Sequence, residues 1–359
     1  MYYKNIKRFI TNIIVIIFFI FYAQISVFAS EVPQFNPKDS NPKPGLYRVG
    51  DMHCARNGHI SVPLDDGRVI LIAGYSRLVG DKTNNSAEIF DPKTGNFTKL
   101  NMKLEYNGII ERSLRGILLN NGNVFVTGGY EREKLRNNKN KFRLRYEIFN
   151  SQNNNFINGP YPSINGNYFN VWNGNNGKAY IYIENSNNKE EKVIEEYDYS
   201  TNTITKVIPR TSKEYNTNKY TIPTRQLPVH MFEYIKENIG FPFEYVFISD
   251  DEIIVTSLSE IDYGKKVSDI KSGEYKTYRS WYSPIYLINF NTKEIRPLNE
   301  FVRSAIPSMT KIKGKNQVLI TGGCVPNYVK NPNKAIKDEY KINMWLAMKA
   351  TKLAYILVY

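Results

Sequence analysis

The chain is short of the residues that most often carry catalysis and cross-linking: 359 residues hold 2 Cys, 3 His and 3 Trp. Two cysteines exclude a disulfide-dense scaffold and a Cys-rich zinc cluster, and in an exported protein leave room for a single disulfide. The histidines, His53, His59 and His230, match no established zinc spacing. There is no Gly-rich phosphate cradle, no nucleophile elbow and no cluster of metal-binding carboxylates. Acidic residues are also in deficit, with 34 Asp and Glu against 48 Lys and Arg and a formal charge of +14.

What is present begins with a leader. Lys4, Lys7 and Arg8 precede an apolar run from Ile13 to Phe21, followed by Ser26-Val27-Phe28-Ala29. This pattern predicts an export signal over residues 1–29, cleaved near Ala29, and a periplasmic or secreted protein. The alternative is a retained membrane anchor, because Ile13 to Phe28 is near the lower length limit for a bilayer span. No Cys stands at the cleavage site, so the sequence offers no lipoprotein attachment. Loss of the three leader charges leaves the mature chain strongly basic, a balance that favours acidic partners such as anionic glycans, lipid headgroups or nucleic acid. The abundance of Asn, Lys, Ile and Tyr would follow equally from coding bias, so the placement of the charge matters more than its sum.

Internal similarity organises the rest. Asp66-Gly67-Arg68-Val69-Ile70-Leu71-Ile72-Ala73-Gly74 returns as Asn121-Gly122-Asn123-Val124-Phe125-Val126-Thr127-Gly128-Gly129. Weaker copies begin at Asn176-Gly177 and Asp251-Glu252, and a close one runs from Asn316 to Gly323. Each copy is a tight turn followed by a short β-branched run, the signature of a hairpin and a buried strand. A second element follows each of the first four copies: Phe90 and Phe97, Phe149 and Phe156, Tyr197 and Ile204, Ile288 and Ile295 flank polar turns at constant spacing. These read as the outer strand pair of a four-stranded unit.

Together the two elements resemble the kelch repeat, closely in the first, second and fifth copies and more loosely in the third and fourth. The resemblance implies an all-β fold, a kelch-type β-propeller over residues 47–359 of five blades, six if the stretch 208–245 hides another; that stretch reads instead as an insertion, and 30–46 as an N-terminal linker. The fifth copy ends at Ala354-Tyr355-Ile356-Leu357-Val358-Tyr359 without its last strand, while Tyr47 to Met52 aligns with the outermost strand of the first copy, Phe97 to Met102. Pairing of the N-terminal strand with the C-terminal blade would therefore close the ring and protect its edges.

In such a ring Cys54 and Cys324 fall at neighbouring connections, which leads us to expect a disulfide between them worth about 4 to 5 kcal/mol for so long a loop. A two-Cys, two-His site adding His53 and His59 is the alternative. The galactose oxidase family, also built on kelch repeats, binds copper through two Tyr and two His; this chain has no Tyr-His pair and nothing to carry those positions over, so no cofactor is expected. A kelch-type sialic-acid mutarotase uses Arg and carboxylate side chains on one face, which makes a sugar-active epimerase the alternative function.

Charge then selects one face. Glu131 to Arg145 holds Arg132, Lys134, Arg136, Lys139, Lys141, Arg143 and Arg145 against two Glu, and Cys324 to Leu353 holds six Lys against Asp338 and Glu339. The third copy is acidic instead, with Glu184, Glu190, Glu191, Glu195 and Glu196 after its inner strand. Arg56, His59, Arg77, Lys82, Arg132, Arg136, Lys139, Lys141 and Arg143 are accordingly the candidate ligand-binding residues. The reading is a monomeric, non-enzymatic binding module that takes a protein or an anionic glycan on the face of its b–c loops. A membrane surface is a further candidate. Nucleic acid is disfavoured by export and by the lack of a groove-reading motif.

Overall fold

One turn is built four times. Asp91, Asn150, Asp198 and Asn289 each accept through Oδ1 the amide two residues on, from Lys93 (2.8 Å), Gln152 (3.0 Å), Ser200 (2.9 Å) and Asn291 (2.9 Å). The residue that closes each turn is left-handed: Gly95, Asn154, Asn202 and Lys293 have φ of 70°, 53°, 56° and 57°. A short carboxylate or carboxamide that imitates a backbone turn is why Asp or Asn recurs at the first position. Each turn sets the two apolar residues of its hairpin directly opposite one another, pairing Phe90 with Phe97, Phe149 with Phe156, Tyr197 with Ile204 and Ile288 with Ile295. The Phe90 and Phe97 rings lie 4.9 Å apart and those of Phe149 and Phe156 5.3 Å.

The computed structural model describes residues 32–74, 86–103, 114–127, 146–164, 166–174, 177–185, 192–207, 227, 229–239, 243–257, 283–302, 304, 307–326 and 348–359. The described residues form five four-stranded antiparallel sheets, and these hairpins are the outer strand pairs of four of them. The first contains β2 (Ile60–Pro63), β3 (Val69–Ile72), β4 (Ser86–Asp91) and β5 (Asn96–Lys103). The second contains β6 (Arg115–Leu118), β7 (Val124–Thr127), β8 (Glu147–Asn150) and β9 (Asn155–Asn158). The third contains β10 (Gly166–Asn173), β11 (Lys178–Asn185), β12 (Lys192–Asp198) and β13 (Thr203–Val207). The fourth contains β14 (Phe243–Phe247), β15 (Glu252–Ser257), β16 (Ser283–Asn289) and β17 (Ile295–Val302). In the fifth, β18 (Ser308–Lys311) and β19 (Gln317–Thr321) are joined by β22 (Ala354–Val358) and, on its outer side, by the N-terminal β1 (Gly45–Arg48). A short ribbon of β20 (Cys324–Pro326) and β21 (Met348–Ala350) stands between β19 and β22 in sequence. This all-β arrangement is consistent with a β-propeller.

The two ends of the chain do share a sheet: Tyr47 is opposite Ile356 and Arg48 opposite Tyr355. The strand begins at Gly45, inside the stretch expected to be linker, and order extends further back. Phe35 donates its amide to the Arg48 carbonyl at 2.8 Å and is buried in one cluster with Val49, Phe90, Leu319 and Ile356.

Sheets stack through their apolar faces. Ile60, Val62, Ile70 and Ile72 of the first sheet pack with Val124, Val126 and Phe149 of the second. Phe125 and Ile148, from the opposite face of the second, pack with Ile181, Ile183 and Tyr197 of the third. First strands lie side by side, β14 with β18, β18 with β2, β2 with β6 and β6 with β10. The stretch expected to be an insertion holds the start of the fourth sheet, β14, and the helix α1 (Val229–Asn238). Leu227, Met231 and Ile235 cover Ile253, Val255 and Ile288 of the fourth sheet, and the Tyr234 hydroxyl donates to the Lys293 carbonyl at 2.7 Å. Among the described residues no helix is long and apolar enough to cross a membrane.

A buried glutamate recurs in the third strand of three sheets, two residues before the aromatic that opens the hairpin: Glu88, Glu147 and Glu195, each at most 3% exposed. Glu195, expected in an acidic loop, is thus a strand residue that accepts a hydrogen bond from the Tyr146 hydroxyl at 2.6 Å and from the Ser163 amide. Its neighbour Glu196, on the other face of β12, pairs with Lys178. The Tyr146 bond ties the second sheet to the third, and a hydrogen bond to a buried charge is worth about 1.5–3 kcal/mol. Tyr146→Phe is expected to lose that amount in urea unfolding, with no change in the circular dichroism of the folded protein.

Candidate functional site

In all five sheets the second strand ends and the third begins at one end. The opposite ends meet one another: Lys313 Nζ lies 2.5 Å from Asp65, Asn173 donates to the Leu118 carbonyl at 2.6 Å, and Lys311 donates to the Ile248 carbonyl. At the near end the start of the first sheet meets the end of the fifth, where His59 Nε2 and Thr321 Oγ1 are 2.9 Å apart. The strand ends that flank the basic segments 131–145 and 327–347 in sequence are therefore at the same end of the stack. Arg77 and Lys82, with Arg132, Arg136, Lys139, Lys141 and Arg143, lie outside the described residues.

Arg56 is a different kind of residue from the one the charge pattern suggests. It is fully buried, and its guanidinium is spent on the fold. Nε donates to Glu88 at 2.7 Å, Nη1 to the carbonyls of Ala73 (2.5 Å) and Ser86 (2.9 Å), and Nη2 to Ser86 Oγ (2.8 Å). Glu88, equally buried, also accepts the His53 amide at 2.7 Å. The Arg56 backbone reaches the other way, taking the Gly323 amide at 3.1 Å and giving its own to the Thr351 carbonyl at 3.2 Å. Residues 53–59 are in this way stapled between the first and fifth sheets. The Gly322-Gly323 pair serves the staple: a Cβ at Gly322 would stand 2.2 Å from the Arg56 carbonyl oxygen, and φ there is +65°.

His59 also faces inward. It is 8% exposed, its Nδ1 has no partner, and burial, helped by the nearby Arg56 charge, lowers its pKa to about 3. His53 Nε2 is 3.0 Å from the Phe97 carbonyl oxygen. Cys54 and Cys324 do not form the expected disulfide. Cys54 is turned toward the first sheet, where Ser86 Oγ is 3.6 Å from its sulfur, while Cys324 is buried on β20 opposite Ala350. Among the described residues no group of three or more His, Cys, Asp or Glu is placed to hold a metal ion.

The register reveals a level that charge counting passes over. The first-strand residues opposite Ile72, Thr127, Tyr182, Thr256 and Thr321 are Ile60, Arg115, Asn170, Glu244 and Ser308. They occupy equivalent positions at the end from which the long connections leave. Arg115 is exposed and donates through Nη1 to the Leu114 carbonyl at 3.0 Å. Glu244 is partly buried, and desolvation pushes its carboxyl up to about 7. Across the strand pair from it the Thr256 hydroxyl, 1% exposed, has no hydrogen-bond partner. In the fifth sheet the equivalent Thr321 hydroxyl meets His59; at the fourth, the residue equivalent to His59 is Pro307, which has no donor to offer. A signal for this level was available: Ile60, Arg115 and Asn170 each stand six residues before the Asp or Asn of their Gly turn.

Compared with protein-family models and with curated proteins, the sequence matches none.

Proposed function

We propose that this chain is an exported, five-bladed kelch-type propeller that serves as a non-enzymatic binding module, taking an acidic partner on the face of its b–c loops. The observation that carries the reading is that the strand ends flanking the basic segments 131–145 and 327–347 lie at one end of the stack, so that the Lys and Arg of both segments start from a common face. Clustered like charge focuses a field on one face and raises the local concentration of an anion, which scattered charge does not. Closure of the ring is supported by β1 pairing with β22 and by the run of neighbouring first strands. In this reading α1 is the wedge between the third and fourth blades, since it already covers one face of the fourth sheet.

Binding to anionic glycans on an array tests the proposal. Reversal of Arg136, Lys139 and Lys141 to Glu is expected to abolish it, with the unfolding transition unchanged. Undiminished binding by the triple variant removes the proposal.

A further inference from the structure

Charge on the loops would attract any polyanion, so what the face selects depends on groups held rigidly beneath them. The level of Arg115, Asn170, Glu244 and Ser308 is such a set. Each residue sits on a first strand paired in register with its neighbour, a far more rigid support than a loop. Arg115 and Asn170 are on adjacent strands, and so are Glu244 and Ser308. The level mixes donors with acceptors. Arg115 offers a planar fork of N–H groups. Asn170 accepts the Val171 amide through Oδ1 at 3.0 Å, which orients its NH2 group as a donor. Glu244 is an acceptor, and the Thr256 hydroxyl opposite it is unpartnered.

The carboxylate is the informative member. A surface shaped by attraction to negative charge alone gains nothing from a carboxyl at its floor, which adds no positive charge in either protonation state. A hydroxyl group, by contrast, both donates to and accepts from a carboxyl, and accepts from a guanidinium or a carboxamide NH2 group. Mixed donors and acceptors on fixed strands, below a basic rim, suit a ligand that is anionic overall and carries hydroxyls between its charges.

We infer that the Arg115, Asn170, Glu244 and Ser308 level reads the hydroxyls of a carboxylated oligosaccharide, so that the module's ligand class is an acidic glycan and not polyanions at large. The inference rests on the binding-module reading and adds the basis of its selectivity.

Two probes of similar charge separate the possibilities: hexagalacturonate, which carries hydroxyls, and a linear hexaphosphate, which carries none. Calorimetric titration of the mature protein is expected to favour hexagalacturonate by about tenfold or more, the worth of one or two hydrogen bonds to charged groups. Arg115→Ala and Glu244→Ala are each expected to lower hexagalacturonate affinity far more than hexaphosphate affinity and so to erase that preference; the loop charge reversal weakens both probes equally. Glu244→Gln, which keeps side-chain volume, provides a second reading should the alanine variant unfold. Equal affinity of the wild-type protein for the two probes, or a preference that survives at Arg115→Ala and Glu244→Gln, overturns the inference and leaves the module standing. Failure of both probes to bind overturns the module as well.

Discussion

Arg56→Met is expected to lower the unfolding free energy by about 3–5 kcal/mol, the usual cost of removing one partner from a buried ion pair. The side chain it replaces is fully buried and spans four acceptors, the Glu88 carboxylate among them, from β4 and from Ala73 just beyond β3. Without the guanidinium Glu88 keeps the His53 amide at 2.7 Å and a long contact with the Cys54 amide at 3.5 Å. Two amides do not replace a paired charge, so the carboxylate takes up a proton or draws in water, and residues 53–59 lose their hold on the first sheet. The double variant Arg56→Met, Glu88→Leu separates charge from packing. It removes both charges together, and it is expected to regain much of the lost stability, as buried pairs replaced by apolar residues commonly do. Urea unfolding followed by circular dichroism provides the measurement. A single variant within about 1 kcal/mol of the parent, the range of an exposed pair, would show that the buried pair is not what holds residues 53–59 to the first sheet.

That staple marks the boundary of what the sequence makes legible. The hairpins are local: an Asp or Asn, a left-handed residue and two apolar residues at fixed spacing decide them within one turn, and every such pair stands where the spacing puts it. The union of the chain ends is legible as well, because a missing fourth strand at one end and a surplus strand at the other are both visible in the repeats. Arg56 and Glu88 are 32 residues apart and belong to no shared pattern. A lone arginine in a basic chain reads as surface until the partner that neutralises it is placed beside it. Glu195 fails in the same way, since a run of glutamates suggests a loop while strand alternation sends Glu195 inward and Glu196 outward. The fourth sheet is legible only loosely, and its first strand not at all, for a different reason. Its turn at Asp250-Asp251 lacks the glycine that announces the others, and its first strand, β14, follows a helix whose buried face rests on Met231 and Ile235. The disulfide expectation depends on proximity along the rim, whereas the direction in which Cys54 points is set by Glu88 and Ser86.

The acid response of the fold is expected to come apart into two opposing parts once His59 and Glu244 are replaced one at a time. His59 titrates near 6.5 in the unfolded chain and at about 3 in the folded protein, since burial desolvates the ring and the Arg56 charge lies nearby. Below pH 6.5 the unfolded state binds the additional proton, so stability falls as the solution is acidified, by about 1.4 kcal/mol per pH unit while that window lasts. Glu244 has the opposite sign. Its carboxyl titrates at about 7 in the fold against 4.5 unfolded, so between those values the folded state holds the additional proton and stability rises on acidification. In the parent protein the two slopes nearly cancel from about pH 6.5 to pH 5. His59→Gln keeps an uncharged donor for Thr321 and leaves the Glu244 slope alone, so this variant is expected to gain about 2 kcal/mol over that interval relative to its value at pH 6.5. Glu244→Gln leaves the His59 slope and is expected to lose about the same amount. The two curves, measured by urea unfolding at half-unit steps of pH, should therefore diverge by about 4 kcal/mol at pH 5. Parallel curves would mean that neither side chain is desolvated as its surroundings require, and would return His59 to the solvent-facing rim where the charge pattern first placed it.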